Sequence, residues 1–286
     1  MNKHDLIIVR GAGDISTGTI HRLTRAGFSV LALETERPAA IRRKVSFSEA
    51  VFDGKAEVEG VTAVRLSGNG SFSVEDTWRE AEQILAEGQV PVLIDPSGKS
   101  IRAWQPFAVI DAILAKKNLG TSMDMAGLTI GLGPGFTAGK DVHYVIETMR
   151  GHDLGRILET ESALPNTGVP GVIAGYGAER VIHTAAAGIF EAEAEIGDMV
   201  RKGERIACIR TEEQEVPVYA SLTGILRGIL RSGFQVPAGF KAADIDPRPE
   251  EQKNCYTISD KARCIAGSVL EIICRAKTEN QTKSKL

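Results

Sequence analysis

The stretch DLIIVRGAGDISTGTIHRLTRAGFSVLALETERP, residues 5–38, decides how the fold begins. Its apolar run LIIV predicts a buried strand, and the glycines after it predict a sharp turn into a helix over 15–26. A second apolar run, FSVLAL, predicts the next strand. A strand, a helix and a strand in this order form a βαβ unit, in which the two strands are parallel.

The alternation of helix and strand patterns continues to about residue 135. The next predicted elements are a helix over 74–87, a strand over VPVLID (90–95), a helix over WQPFAVIDAILAKK (104–117) and a strand over MAGLTIGLG (125–133). The expected fold class is therefore α/β, with a Rossmann-like parallel sheet in a nucleotide- or cofactor-binding domain over residues 1–165.

Residues 166–250 show short β-like runs between glycines and predict a small β module. The segments IGDMVRKGERIACI (196–209) and VPVYASLTGIL (216–226) resemble a biotinyl/lipoyl-type barrel-sandwich hybrid. Carriers of that type have an exposed lysine on the intervening hairpin, where this chain has TEEQE (211–215), so we expect no acylation and a structural or docking role. Residues 251–286 predict a C-terminal helix, capped by Ser259 or Asp260, that packs on the α/β domain, followed by a polar tail.

Composition excludes several classes of partner. A formal charge of −3 and a pI near 6.0 give no general attraction to nucleic acid or to an anionic membrane. No leader or membrane-spanning run is recognised, so a cytoplasmic protein is expected. The four cysteines match no zinc pattern and are interpreted as reduced thiols, and no metal ligands are assigned.

The turn GAGDISTG predicts a phosphate-binding site. Gly11, Gly13 and Gly18 form a loosened dinucleotide fingerprint between a strand and a helix, where backbone amides and the helix dipole favour an anion. Glu34 ends the second strand, which is the position of an acidic residue that binds ribose hydroxyls. The pattern therefore indicates a nucleotide or dinucleotide ligand.

Asp14 opposes this interpretation, because a carboxylate beside a pyrophosphate is repelled by it. Three roles stay open for Asp14: a helix cap together with Ser16 or Thr17, a ligand for a cation or a hydroxyl, and a partner for Arg10. Basic residues follow both strands of the unit. Arg10, Arg42 and Arg43 are candidate phosphate ligands, although Arg42 and Arg43 also fit an ordinary solvated charge run.

The segment GLGPGFTAGKDVHYVIETMRGHDLGRI, residues 131–157, contains a second glycine loop, in which Gly133 and Gly135 are candidate cofactor-binding residues. A helix is expected to begin near Lys140 or Asp141. Its spacing would place His143 and Glu147 on one face, with Arg150 next to them, as candidate catalytic residues. A polar network that holds the loop in place is the equally weighted alternative.

Several stretches resemble the YqeB-type accessory proteins of selenium-dependent molybdenum hydroxylases: RGAGDISTGTIHRLTRAGF, TERPAAIRRKVSFSEAVFDG, AKKNLGT, GLGPGFTAGKDVHYVIETMRGHDLGRI, NTGVPGVIAGYGAERV and ISDKA. The resemblance covers about residues 6–274 and implies a role in maturation of such a hydroxylase. The first domain also looks distantly like XdhC-type chaperones, which bind molybdenum cofactor. By that analogy the glycine loops would hold the phosphates of a molybdopterin-type cofactor.

The partners that this resemblance implies are the hydroxylase apoenzyme or other maturation proteins, together with a small phosphate-bearing ligand; a homo-oligomer is left open. Two other functions are kept as alternatives. One is an NAD(P)-dependent oxidoreductase with Glu34 at the ribose and His143 as proton donor. The other is a non-catalytic docking scaffold, so the sequence leaves open whether the chain is an enzyme.

Overall fold

The computed structural model describes residues 5–68, 74–168 and 171–283. The chain divides into two compact units: the first consists of Met1–Pro38, Ser46–Asn166 and Ile258–Leu286, and the second of Ala39–Val45 and Thr167–Thr257. The β-rich unit thus includes Ala39–Val45 and ends at Thr257, whereas the expected module covers residues 166–250. The C-terminal segment Ile258–Leu286 belongs to the first unit.

The first unit is built on one large sheet. Its strands are β1 (Ile7–Arg10), β2 (Val30–Glu34), β3 (Lys55–Val58), β4 (Val61–Arg65), β5 (Val90–Ile94), β6 (Ala108–Asp111), β7 (Leu128–Leu132), β8 (Tyr144–Ile146) and β9 (Ile157–Leu158). Its helices are α1 (Asp14–Arg25), α2 (Ala50–Asp53), α3 (Val74–Ala86), α4 (Lys99–Trp104) and α5 (Asp260–Lys283). The predictions of β1, α1, β2, α3, β5, β7 and the C-terminal helix are confirmed.

The strands lie in the order β3-β4-β5-β2-β1-β6-β7-β8-β9. Neighbours from β4 to β8 are parallel, whereas β3 pairs with β4 and β9 pairs with β8 in antiparallel fashion. The hairpin between β3 and β4 turns at Glu59 and Gly60, whose φ angles of 48° and 77° suit a two-residue hairpin turn. The predicted Rossmann-like parallel sheet is therefore wrong, and the sheet is mixed.

Two predicted helices are also wrong. Within WQPFAVIDAILAKK the buried residues Ala108–Asp111 form the strand β6. A strand that is covered on both faces has a continuous apolar run, so the alternation that marks a half-exposed strand is missing from the sequence. The helix expected from Lys140 is absent from this described segment, and strand β8 lies there instead. Short apolar runs do not distinguish a buried strand from a helix.

The second unit contains the strands β10 (Val181–His183), β11 (Gly188–Ala192), β12 (Met199–Val200), β13 (Arg205–Arg210), β14 (Glu215–Tyr219), β15 (Gly224–Ile229), β16 (Phe234–Val236) and β17 (Lys241–Asp246). They form two antiparallel sheets, in the orders β10-β17-β15-β12 and β14-β13-β11-β16, around a core that includes Phe190, Ile206 and Leu226. The predicted barrel-sandwich hybrid is thus also wrong. Pairing of strands distant in sequence, such as β10 with β17, cannot be deduced from the spacing of turns.

The C-terminal helix α5 belongs to the first unit. Of its predicted apolar positions, Ala262, Ile265, Val269, Ile272 and Ile273 are buried, and Leu270 is half-buried. The helix continues to Lys283, so it includes part of the predicted polar tail, and residues 284–286 lie outside the described residues. Over the described part of the chain, no helix combines the length and apolarity that crossing a membrane requires.

Candidate functional site

The carboxyl ends of the parallel strands in the first unit form a charged edge. Charged residues end β1, β2 and β6 or directly follow β5 and β8; they are Arg10, Glu34, Asp111, Asp95 and Glu147. Chain connections leave in opposite directions on the two sides of β1 and β6, toward β2 and toward β7. Open α/β sheets bind ligands in the crevice at such a switch point, so a ligand site is expected at this edge.

Arg10 is neutralised by its own strand neighbours. Its side chain is 3% exposed, and its guanidinium lies 3.6 Å from the Asp111 carboxylate and donates to the hydroxyl of Thr121 and to the carbonyl of Pro96. Thr121 in turn donates to Asp111 at 2.6 Å. Asp111, rather than Asp14, is therefore the carboxylate that pairs with Arg10. The buried Arg10 side chain links the end of β1 to the end of β6 and to the segment after β5.

Glu34 lies at the predicted strand end, and its carboxylate is bound to the glycine turn. One oxygen accepts the amide of Ala12 at 2.8 Å, and the other accepts the amide of Thr35 at 2.8 Å. Burial raises the pKa of Glu34, although both hydrogen bonds act to lower it. The Ala12 amide, which a phosphate would otherwise bind, is thus satisfied by Glu34.

The three glycines of the turn differ in their surroundings. Gly11 has a φ of 93°, and a Cβ there would lie 3.0 Å from the carbonyl oxygen of Ala112, so the turn is covered by the chain that leaves β6. A Cβ at Gly18 would lie 2.8 Å from the Cβ of Ala262, so Gly18 permits close packing of α1 on α5. A Cβ at Gly13 would meet nothing within 4 Å. Of the three, Gly13 alone leaves open space for a ligand.

Gly13, and not Asp14, occupies the N-cap position of α1. The helix begins at Asp14 with Gly13 as its N-cap and with no side-chain cap hydrogen bond. The hydroxyl of Ser16 donates to the Gly13 carbonyl at 2.9 Å, and that of Thr17 donates to the Ala12 carbonyl at 3.1 Å. Both hydroxyls thus donate to carbonyls of the turn, which is not the capping bond predicted for Ser16 and Thr17, and Asp14 is a half-buried acidic residue in the first turn, where the helix dipole favours it.

Arg42 and Arg43 belong to the second unit and bind its backbone. Arg42 is 7% exposed and donates to the carbonyls of Asn254 and Thr257, at 3.0 and 3.3 Å. Arg43 donates to the carbonyl of Ile229 at 2.9 Å. These contacts give both arginines a structural role within that unit, in place of the solvated charge run considered from the sequence.

Gly133 and Gly135 lie where two segments of the chain pack closely against each other. Gly133 has a φ of 79°, and a Cβ there would lie 2.6 Å from the hydroxyl of Thr148. Gly135 has a φ of 113°, and a Cβ there would lie 2.7 Å from the backbone of Lys117. Close packing accounts for these glycines, and the space beside them is filled by the chain itself.

His143 and Glu147 do not share a helical face, because this segment is extended. The Nδ1 atom of His143 accepts the amide of Thr129 at 3.0 Å, which leaves the proton of the neutral ring on Nε2. Burial lowers the pKa of His143. Glu147 is 3% exposed and accepts the amides of Met149 and Leu164, at 2.7 and 2.8 Å. The predicted His–Glu pair on a helix is wrong, and each side chain holds its own loop.

Arg150 makes a bidentate contact with Asp260 at the start of α5, with distances of 2.8 and 3.1 Å. This contact raises the pKa of Arg150. The predicted cap of α5 is confirmed at Ser259, whose hydroxyl oxygen accepts the amide of Ala262 at 3.2 Å. The segment after β8 is thereby joined to the first turn of α5.

Lys261 is a site residue that is not among those predicted from the sequence. It is half-buried in the first turn of α5, and burial together with the nearby Arg150 lowers its pKa. The carboxylates of Asp14, Glu147 and Asp260 act in the opposite direction. A positive charge in the first turn of a helix is unfavourable because of the helix dipole. The lysine in the motif ISDKA, at the start of the predicted helix, could therefore have indicated a functional residue.

The charged cluster of Asp14, Glu147, Arg150, Asp260 and Lys261 therefore joins the starts of α1 and α5 to the end of β8. A lysine of lowered pKa can bind an anion or transfer a proton. Across the described ranges, no group of three or more His, Cys, Asp or Glu is arranged to hold a metal ion.

No protein-family model matches the chain. Two solved structures that it matches are an aspartoacylase family protein from Mesorhizobium loti MAFF303099, with 12% identity, 84% of each chain covered and a TM-score of 0.28, and a succinylglutamate desuccinylase/aspartoacylase from Rhodobacter sphaeroides, with 13% identity, 85% of each chain covered and a TM-score of 0.27. These scores are too low to support an argument about fold or activity.

A curated relative gives a much stronger match. The chain is 49% identical over 270 residues to YqeB from Escherichia coli strain K12, and the alignment covers 94% of this chain and 47% of that protein. The chain thus spans about half the length of the curated relative it matches. This similarity confirms the resemblance found in the motifs, and the chain is a YqeB-type protein over nearly its whole length.

Proposed function

We propose that the chain is an accessory or maturation protein for a selenium-dependent molybdenum hydroxylase, and that it binds a phosphate-bearing, molybdopterin-type cofactor beside Gly13. The relationship to YqeB supports the accessory role through the resemblance described above. The hydroxylase apoenzyme or another maturation protein is the proposed protein partner. The observation that carries the binding proposal is the open space at Gly13, at the start of a 12-residue helix.

The position of Gly13 favours an anion for two physical reasons. The first amides of α1 have no partner within the helix, and the helix dipole places partial positive charge there. Gly13 also has an extended backbone with φ −67° and ψ −175°, so its lack of a side chain is not required by its conformation. A ligand that needs close approach to the backbone would explain a glycine at this position.

Lys261 supplies the positive charge of the proposed site. Its ammonium interacts electrostatically with Asp14, the first residue of α1. Burial and Arg150 disfavour its charged form, and a bound phosphate would offset that cost. In this proposal Arg150 is held in place by Asp260, while Arg10 and Glu34 maintain the strand ends around the turn. The chain's own residues bind and orient the cofactor, and no bond-making step is assigned to them.

Retention of molybdopterin dinucleotide by the purified chain tests this proposal, with Gly13→Val as the variant. The Cβ of the added side chain would enter open space, where it would block the ligand. Gly127→Val is the matched control, because a Cβ at Gly127 also meets nothing within 4 Å and Gly127 directly precedes β7, at the opposite edge of the sheet.

We expect the unmodified chain and Gly127→Val to retain the cofactor and Gly13→Val to lose it. Equal retention by all three proteins, or by none, would contradict the proposal. Titration with NAD(H) under the same conditions addresses the oxidoreductase alternative. Binding of NAD(H) that depends on Gly13, with no retention of molybdopterin dinucleotide, would favour that alternative.

A further inference from the structure

A second cationic surface lies in the first unit, on residues that the proposed cofactor site does not use. We define the basic groove as a cavity of about 330 Å³ lined by Gly18, His21, Arg22, Arg25, Ala26, Ile258 and Arg263. It runs between the C-terminal half of α1 and the start of α5. Because α1 begins at Gly13 and ends at Arg25, this groove extends toward the end of the helix opposite to the proposed cofactor site.

The charge of the basic groove is strongly one-sided. Arg22, Arg25 and Arg263 line it, and among the described residues the carboxylate bonded to this lining is that of Glu59, which accepts Arg263 at 2.6 Å and the amide of Ile258 at 2.8 Å. Three arginines against one glutamate leave an excess of two positive charges, before any charge on His21 is counted. A protein of net charge −3 therefore presents a local cationic cavity.

The Glu59 contact also positions the wall of the groove. Glu59 lies in the hairpin turn between β3 and β4, and its backbone carbonyl is 3.3 Å from Nε2 of His21. It thus connects the hairpin to α1 through His21 and to α5 through Arg263. Since only one nitrogen of the Arg263 guanidinium is bound by Glu59, the planar group keeps other donors for a ligand.

The lining indicates the chemical class of the ligand. Guanidinium groups bind phosphate oxygens in a bidentate manner, and the volume is at the small end of the range of about 300–1,000 Å³ for small-molecule pockets. Ala26 and Ile258 are the apolar residues of the lining, and no aromatic residue lines it to stack on a nucleobase, among the residues that the structure describes. We propose that the basic groove binds a compact oligoanion of the pyrophosphate class.

Arg22 and Arg25 also stand in the last turn of α1, where basic side chains offset the helix dipole. A role limited to the dipole would need neither Arg263, which comes from another helix, nor a cavity between the helices. The two roles differ in a measurable way, because an effect on the dipole changes the stability of the protein without any anion bound.

Isothermal titration calorimetry of the full chain with inorganic pyrophosphate tests the proposal, and inorganic phosphate and a pentaglutamate peptide are the comparison ligands. The test variant is Arg22→Gln/Arg25→Gln. The charge-matched control is Arg79→Gln/Arg156→Gln, which removes two exposed arginines that each contact a carboxylate three residues away. The single variant Arg25→Gln, at an exposed position, serves if the double variant does not fold as judged by circular dichroism.

We expect pyrophosphate to bind the unmodified chain more tightly than phosphate or the peptide does, and the Kd to rise about tenfold or more in the test variant. The Arg79/Arg156 control and Gly13→Val should keep the Kd of the unmodified chain. Absence of pyrophosphate binding, an equal Kd in test and control variants, or tighter binding of the peptide would overturn the proposal. Loss of binding in Gly13→Val would also overturn it, by assigning the anion to the cofactor site, whereas failure of cofactor retention leaves this result unaffected.

Discussion

The carboxylate of Glu34, at the end of β2, accepts the backbone amide of Ala12 in the glycine turn at a distance of 2.8 Å. A residue that the pattern assigns to a ligand's ribose thus binds the protein itself. The hydrogen bond joins β2 to the turn that follows β1, and it occupies an amide that would face a phosphate in a dinucleotide site. The glycine turn is consequently shaped by the protein's own carboxylate.

Glu34→Gln should change how stability depends on pH. Burial raises the pKa of Glu34 in the folded protein above its ordinary value of 4.5. The contribution of this raised pKa to the free energy of unfolding is therefore fully present below pH 4.5. It is lost as the pH rises through the pKa of Glu34 in the folded protein. We expect the unmodified chain to lose free energy of unfolding relative to Glu34→Gln over that interval, as measured by urea unfolding between pH 4 and pH 8. Glu36→Gln is the control, and parallel pH profiles for all three proteins would contradict the prediction.

Arg10 and Asp111 should show strong energetic coupling. Removing one partner of a buried ion pair leaves an uncompensated charge and typically costs about 3–5 kcal/mol. We expect Arg10→Met and Asp111→Leu each to lower the free energy of unfolding by about that amount, and the double variant to lose much less than the sum of the two. A double-mutant cycle in urea measures the coupling. Additive losses would show that the two side chains act independently.

The packing of α1 on α5 should depend on the small size of two residues. A Cβ at Gly18 would lie 2.8 Å from that of Ala262, so Gly18→Ala should destabilise the chain by about 1–3 kcal/mol through overpacking. Ala262→Gly should restore part of that loss, because it removes the contacting atom. Gly13→Ala, which enters open space, should change stability by less than about 0.5 kcal/mol. Thermal unfolding of the four proteins checks these values, and an unchanged stability in Gly18→Ala would refute the packing argument.

Lys261 should become reactive toward amine reagents at a lower pH than it does in the unfolded chain, because burial lowers its pKa. Asp14 favours the charged ammonium and Arg150 disfavours it. Asp14→Asn should therefore shift the labelling midpoint of Lys261 further down, and Arg150→Gln should shift it up. Competitive labelling across pH, read by mass spectrometry of the peptide that contains Lys261, measures the midpoints. Shifts of the same sign in both variants would exclude this electrostatic account.

Several elements were predictable from the chain because local signals agree on them. The run LIIV, the glycine turn and the periodic helix after it produce β1, α1 and β2. The buried positions of α5 follow its period of 3.6 residues in the same way. Motif similarity was also sufficient to identify the YqeB-type relationship.

The candidate site was not predictable to the same extent, because its contacts join residues far apart in sequence. His143 matches the spacing of a helical partner for Glu147, yet it pairs with Thr129 because its segment is a strand beside β7. Lys261 itself was not predicted as a site residue, and its environment exists only because α5 begins beside α1 and the end of β8.

The amino-acid sequence by itself determined the strand–turn–helix start, the amphipathic C-terminal helix and the family relationship, since each depends on residues close together along the chain or on matching motifs. The tertiary structure alone decided that the first sheet is mixed, that Glu34 and Asp111 bind the chain itself and that Gly13 remains open. These features depend on strand pairing and on close packing between distant segments, which a local pattern does not specify.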